Sequence, residues 1–218
     1  MASVVDTISR FQFITMDNAE VEHLQQVTMA CEAGIDWIQL RMKNVDEHEY
    51  YKKAIEAKKI CDGFNCRLII NDHVQVAHQL GAYGVHVGKL DMPVSQVRAI
   101  VGKDMIVGGT ANTVEDIIMH AEQGADYIGL GPFRFTTTKK KLSPVLDTEG
   151  YTGIINKLKG NGISIPVVAI GGILLHDITA LTQTGVHGIA FSGLLLQAVN
   201  KKEVFTALQK QWMPRASH

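Results

Sequence analysis

The residues of this chain that could do chemistry sit at the ends of short apolar runs, and nearly all of them carry charge or bind it. Thr136-Thr137-Thr138-Lys139-Lys140-Lys141 follows the run Tyr127-Ile128-Gly129-Leu130 through a short connection. Hydroxyls and backbone N–H groups bond phosphate oxygens, and lysines supply the opposing charge, so this stretch reads as an anion-binding loop. A lysine run alone would be only a solvated surface; the adjoining hydroxyls at a strand end change that reading. Arg41 and Lys43 close another apolar run, in which Gln39 also stands. Asn71-Asp72 ends a third, Asp91 follows a fourth, Thr110 ends a fifth, and Gly171-Gly172 and Ser192-Gly193 end two more.

Asp72 and Asp91 are hard oxygen ligands, suited to Mg²⁺ that keeps several waters and binds substrate phosphates. Arg41, Lys43 and Lys139 supply more positive charge than one phosphate monoester needs. With two carboxylates and a divalent metal they suit a diphosphate, above all one that departs with developing charge. No nucleophile or histidine-based triad is evident, so the chemistry on offer is positioning and charge stabilisation, with Arg41, Lys43 and Lys139 as the catalytic candidates.

Strands and helices alternate along the chain. Strands are expected at Phe11–Thr15, Ile35–Arg41, Arg67–Asn71, Gly84–Gly88, Met105–Thr110, Tyr127–Gly131, Pro166–Gly171 and Gly188–Ser192. Helical spacing is expected over Glu20–Glu32, Asp46–Cys61, Asp72–Leu80, Pro93–Val101, Thr113–Gln123 (opened by a Thr cap), Thr148–Lys159 and a single closing helix Leu194–Gln211. Gly34, Gly81, Gly124 and Gly185 each end a helix just before a strand, an internal echo of about two βα units per period. Eight βα pairs with near-continuous apolar strands indicate a parallel sheet closed on itself, a TIM (β/α)8 barrel of the α/β class in one domain spanning residues 1–218. An open doubly wound sheet is the alternative, weakened because no GxGxxG follows the first strand. In the barrel, chemistry belongs at the C-terminal strand ends, and Gly172 and Ser192 occupy the usual phosphate-monoester position after strands seven and eight. Two anionic groups, a diphosphate and a monophosphate, would then face each other.

Composition narrows the partners. The net charge of −1, with 20% charged residues, gives no reason to expect nucleic acid or an anionic membrane. The longest nearly apolar run, Val167–Leu175, is far below the roughly 18 residues of a membrane span. No signal peptide is evident, and a cytoplasmic protein is expected, with a homo-oligomer compatible with everything in the sequence. Cys31, Cys61 and Cys66 are an odd number without a metal-ligand spacing, and read as small packing residues. His86 falls mid-strand and reads as a packed, hydrogen-bonded barrel residue. His23, His48, His73, His78, His120 and His176 are expected mostly at the surface.

Gln39-Leu40-Arg41-Met42-Lys43, Ile70-Asn71-Asp72, the stretch Gly84–Asp91, Gly129-Leu130-Gly131-Pro132, Thr136-Thr137-Thr138-Lys139-Lys140 and Ala169-Ile170-Gly171-Gly172-Ile173 together resemble the thiamin phosphate synthase (thiamin-phosphate pyrophosphorylase) family over nearly the whole chain. The resemblance implies condensation of hydroxymethylpyrimidine diphosphate with a thiazole ethyl phosphate, giving thiamin phosphate and pyrophosphate through C–O bond breaking ahead of capture by the thiazole nitrogen. It implies that Gln39, Arg41, Lys43, Asn71, Thr110 and Lys139 hold the pyrimidine diphosphate. Asp72 and Asp91 would hold Mg²⁺, and Thr136, Thr137, Thr138, Gly172 and Ser192 the thiazole phosphate. Four departures stand out: Thr110 for a usual Ser, Lys89 for a common Gln (a cation added near the metal site), Phe135 for a common Pro, and a Gly185–Ser192 stretch one residue short. The nearest rival is the sister thiazole tautomerase, whose members use a His shortly after strand five where this chain has Asn112. A sugar-phosphate isomerase would want an acid–base pair, and a non-catalytic phosphate binder would not need metal carboxylates beside so many cations.

Overall fold

The computed structural model describes residues 8–17, 20–43, 45–135 and 145–212. Eight strands lie at β1 Phe11–Ile14, β2 Trp37–Leu40, β3 Arg67–Asn71, β4 Gly84–Val87, β5 Ile106–Ala111, β6 Tyr127–Leu130, β7 Val167–Ile170 and β8 Gly188–Phe191. Each pairs in parallel with its sequence neighbours, and β1 also pairs with β8, closing the barrel. Connecting helices are α1 His23–Glu32, α2 Glu47–Gly63, α3 Val74–Leu80, α4 Val94–Val101, α5 Val114–Glu122, α6 Asp147–Gly160 and α7 Ile178–Gln183, followed after β8 by α8 Gly193–Leu196 and α9 Lys201–Trp212. Among the described residues no helix is long and apolar enough to cross a membrane.

The strands read as continuous apolar runs because both faces are covered: β2, β4, β6 and β8 are buried at every position. Outward-facing Ile38, Leu40, Ile70, Val85, Val107 and Ile128 pack beneath the helices. Inward-facing Trp37, Ile69, Tyr127, Val168 and Ala190 form a separate cluster that plugs the barrel. Gly108 has no side chain because the plug needs the room: a Cβ there would lie 2.3 Å from the Tyr127 ring and 2.5 Å from His86 Nδ1. Helix starts follow local chemistry. Asp46 caps α2 by accepting the Glu49 N–H at 2.8 Å, and Thr113 with Asp116 forms a reciprocal capping box on α5.

One expectation is corrected. The single closing helix is two, α8 and α9. Asn200 Oδ1 accepts the Glu203 N–H at 3.2 Å, while Lys201 Nζ bonds the Leu196 and Ala198 carbonyls, so the break is capped from both sides. Between β7 and β8 a short 3₁₀ turn, Leu175–Asp177, runs into α7, the helix whose end at Gly185 the sequence marked although its six residues are too few to show a period.

Candidate active site

The parallel closure brings every C-terminal strand end to one rim, and with them Gln39, Arg41, Lys43, Asn71, Asp72, Asp91, Thr110, Gly172 and Ser192. Thr136, Thr137, Thr138 and Lys139 lie outside the described residues.

The acidic part of the rim is at β3 and β4. Asp72 follows β3 in a left-handed conformation, φ 62°, with its N–H on the His86 carbonyl at 2.9 Å. Its carboxylate forms an ion pair with Lys43 Nζ and lies against the Asp91 carboxyl. Burial raises the Asp72 carboxyl, but the hydrogen bond and charge of Lys43 outweigh it and the net shift is downward. Asp91 goes the other way, pushed up by burial, by the Asp72 charge and by the Asp72 hydrogen bond. Two carboxyls this close cannot both ionise easily with one lysine beside them. Neither is consumed as a helix cap: α3 and α4 begin without a side-chain cap, and Asp91 instead accepts the Gly88 N–H at 3.0 Å. A divalent cation fits this pair. Two carboxylates, with no third acidic or imidazole ligand grouped with them among the described residues, leave most coordination to water and phosphate oxygens, as Mg²⁺ prefers.

Lys89 does not add its charge there. Its Nζ reaches Asp116 at 2.8 Å, in the capping box of α5. The β4 loop is thereby tied to the β5 loop, and the expectation of an extra cation beside Asp72 and Asp91 is corrected.

Inside the rim a polar layer replaces the apolar plug. His86 Nε2 meets Thr110 Oγ1 at 3.0 Å and His86 Nδ1 meets the Tyr127 hydroxyl at 3.0 Å. Gln12 Nε2 donates to the same hydroxyl at 3.2 Å, and Gln39 Nε2 to Gln12 Oε1 at 3.5 Å. Burial pushes the Tyr127 phenol up, so it remains a neutral hydroxyl. Thr110 is held from both sides, because its carbonyl meets His120 Nε2 at 3.0 Å. His120, expected at the surface, is only 4% exposed and packs beneath β5.

Two tyrosines from opposite sides of the barrel do the same job. The Tyr50 hydroxyl, from α2, donates to the Leu40 carbonyl at 2.6 Å and accepts the Asn71 N–H at 3.3 Å, joining the ends of β2 and β3. The Tyr151 hydroxyl, from α6, donates to the Leu130 carbonyl and accepts the Ile170 N–H at 3.4 Å, joining β6 and β7. Both are fully buried, and burial pushes both phenols up. Thr15 completes the support of Arg41, accepting its N–H at 2.9 Å and donating to its carbonyl at 3.1 Å.

The β6 and β7 loops are clamped by Arg134. Its guanidinium donates to both Asp177 oxygens, at 2.9 and 3.0 Å, and to the Gly172 carbonyl at 2.5 Å. Burial raises the Asp177 carboxyl, but the Arg134 bond and the Leu174 N–H bring the net shift down. Asn112 is committed elsewhere, its side-chain amide donating to the Gly131 carbonyl. Ser192 stands before α8, half-buried and with no side-chain cap bond.

Tyr50, Tyr151, His120, Arg134 and Asp177 were not found as supports from sequence. The recurring buried tyrosine, after β2 and again after β6, was the one available signal.

Comparison with known proteins supplies the family. The family model described as thiamine monophosphate synthase matches residues 11–195. A thiamine-phosphate synthase of Bacteroides fragilis is 51% identical over 192 residues, 88% of this chain and 94% of that protein. One from Flavobacterium johnsoniae is 45% identical over 203 residues, 93% and 96% of the two chains. Among solved structures, thiamine phosphate pyrophosphorylase from Pyrococcus furiosus superposes with a TM-score of 0.80 at 28% identity, covering 93% of this chain and 95% of that one. With a closed eight-stranded barrel, a rim of cations and paired carboxylates, and these relatives, the chain belongs to the thiamine monophosphate synthase family.

Proposed function

We propose that the chain joins a hydroxymethylpyrimidine diphosphate to a thiazole phosphate, forming thiamin phosphate and releasing pyrophosphate, as a transferase. The observation that carries this reading in detail is the Lys43–Asp72–Asp91 cluster on the rim, a cation and two carboxylates in contact where a diphosphate would dock. In this reading Arg41 and Lys43 take the diphosphate charge, and Gln39, Asn71 and Thr110 orient the pyrimidine end. Thr110 can do so only in the orientation that His86 imposes on its hydroxyl. Asp72 and Asp91 would hold Mg²⁺, which when bound supplies charge neutralisation for the departing diphosphate. Gly172 and Ser192, after β7 and β8, would take the thiazole phosphate. Thr136, Thr137, Thr138 and Lys139 are assigned by resemblance alone, the threonines to the thiazole phosphate and Lys139 to the diphosphate. The leaving group departs before the thiazole nitrogen attacks, so these side chains act by holding charge and excluding water, not by covalent chemistry. A cytoplasmic location belongs to the same reading.

Asn112 disfavours the tautomerase alternative, since its amide is spent on the Gly131 carbonyl and it is no proton carrier. The experiment is pyrophosphate release, with and without Mg²⁺ and with each substrate omitted. Release that needs the metal and both substrates is expected. Isomerisation of thiazole phosphate without any release would move the function to the tautomerase and leave the barrel standing.

A further inference from the structure

At the opposite end of the barrel from the carboxylates, three sulfurs converge. Cys31 lies in the last turn of α1, Cys61 in the last turn of α2, and Cys66 just before β3. Their Sγ atoms all lie within 4.8 Å of one another, and the residues are 5%, 0% and 7% exposed. None is in a disulfide.

The backbone builds this trio. The Cys66 N–H bonds the Cys61 carbonyl at 2.8 Å and the Asn65 N–H bonds the Asp62 carbonyl at 3.2 Å, with Asn65 at φ 54°. That is a Schellman end to α2, which brings the residues at its two limits, Cys61 and Cys66, into side-chain contact. α1 ends the same way, with Ile35 N–H on the Ala30 carbonyl at 3.1 Å and Gly34 N–H on the Cys31 carbonyl at 2.9 Å. The cysteines sit one position apart in these turns, Ala30 matching Cys61 and Cys31 matching Asp62, and it is the packing of α1 against α2 that brings Cys31 to the other two sulfurs. Packing alone asks for small apolar groups there and has no need of three sulfurs from three elements.

We propose that Cys31, Cys61 and Cys66 form a three-coordinate site for one soft monovalent d¹⁰ cation of the Cu(I) class. A metal–sulfur bond of about 2.3 Å in trigonal geometry places sulfurs about 4.0 Å apart, inside the observed spread. Thiolates select soft metals, and four-coordinate Zn²⁺ wants a fourth protein ligand or a water. No carboxylate or imidazole joins the group among the described residues, and burial leaves little room for water. A monovalent cation on one thiolate and two thiols is neutral overall, and each further thiol that ligates as thiolate releases one proton. Entry is through the turn at Phe64 and Asn65, both exposed.

The test uses the full chain, reduced under argon and titrated with Cu(I) against a colorimetric chelator. One Cu(I) per chain is expected, with sulfur-to-copper charge-transfer absorption and three sulfur neighbours by X-ray absorption. Cys31→Ala and Cys66→Ala should each weaken binding at least a hundredfold while pyrophosphate release continues, since the rim is at the other end. Should Cys61→Ala lose the fold, Cys66→Ala (the most exposed of the three) and the wild-type spectrum still decide. Copper lost entirely to the chelator, binding undiminished in Cys66→Ala, nitrogen or oxygen neighbours, or a preference for Zn²⁺ would each overturn the site. None of these outcomes bears on the synthase reaction, whose own test is pyrophosphate release.

Discussion

Tyr50→Phe and Tyr151→Phe make the same one-oxygen change on opposite sides of the barrel, and the two variants should fail in different ways. Tyr50 is fully buried, and its hydroxyl donates to Leu40 at 2.6 Å and accepts from Asn71 at 3.3 Å. The phenylalanine ring fills the same space, so no cavity term enters. What is lost is one strong hydrogen bond and the partner of a buried carbonyl, about 1–3 kcal/mol. For a chain of this size that is a fall in melting temperature of about 3–9 °C. Tyr151 makes the equivalent pair of bonds to Leu130 and Ile170, so its variant should fall in the same range. The ring positions are four strands apart, and the double variant should lose the sum within about 0.5 kcal/mol. Kinetics separate them. Tyr50 holds the strand ends that carry Gln39, Arg41, Asn71 and Asp72, so Tyr50→Phe should lower kcat/KM for the pyrimidine diphosphate about tenfold with the KM for thiazole phosphate nearly unchanged. Tyr151 holds the strand end that leads into Gly171-Gly172, so Tyr151→Phe should raise the KM for thiazole phosphate instead. Thermal unfolding and steady-state assays with each substrate varied supply both readouts. Melting within 1 °C (about 0.3 kcal/mol) of wild type in both variants, or identical kinetic effects on the two substrates, would refute the reasoning.

Asp72→Asn, which keeps the shape and a residue that tolerates the left-handed backbone, should cut turnover about 10²–10³-fold at saturating substrates with little change in melting temperature; near-normal turnover would remove the carboxylate from the site. Gly171→Ala places a Cβ 2.8 Å from Pro132 Cβ at a backbone φ of 104°, and should lose about 2 kcal/mol or more together with affinity for thiazole phosphate. The pH dependence of stability should carry a term from His187, whose Nε2 lies 2.8 Å from the Ile8 carbonyl and whose imidazole is held below its usual value by burial. The unfolded chain then binds the proton more readily. This contribution is full above about pH 6.5, the unfolded value, and is lost as pH falls toward the depressed folded value. Melting curves of His187→Asn should be flatter than wild type over that window; equal slopes would dismiss the term.

Much of the barrel could be read because it depends on local patterns. Near-continuous apolar runs mark strands covered on both faces, Asp46 and Thr113 announce helix starts, and Gly34 and Gly124 announce ends. The paired carboxylates and the cations were legible for a related reason: in a parallel barrel, strand ends are the rim, so position in sequence already gives position at the mouth. Of α7 only the end at Gly185 was legible, since six residues are too few to show a period, and the α8–α9 break was not legible, since it is made by the local caps of Asn200 and Lys201.

The sequence by itself determined the fold class, the family resemblance and which charges gather at one end. Only the tertiary structure decided what those charges and their neighbours do with one another. Lys89 pairs with Asp116 across 27 residues of chain and leaves Asp72 and Asp91 alone. His86 orients Thr110 across 24, and Tyr50 and Tyr151 sew strand ends together. Cys31 finds Cys61 and Cys66 only because α1 packs against α2 on neighbouring spokes of the barrel. Hydrogen bonds and ion pairs depend on ångström-scale placement, which no residue pattern encodes until closure of the sheet sets the distances.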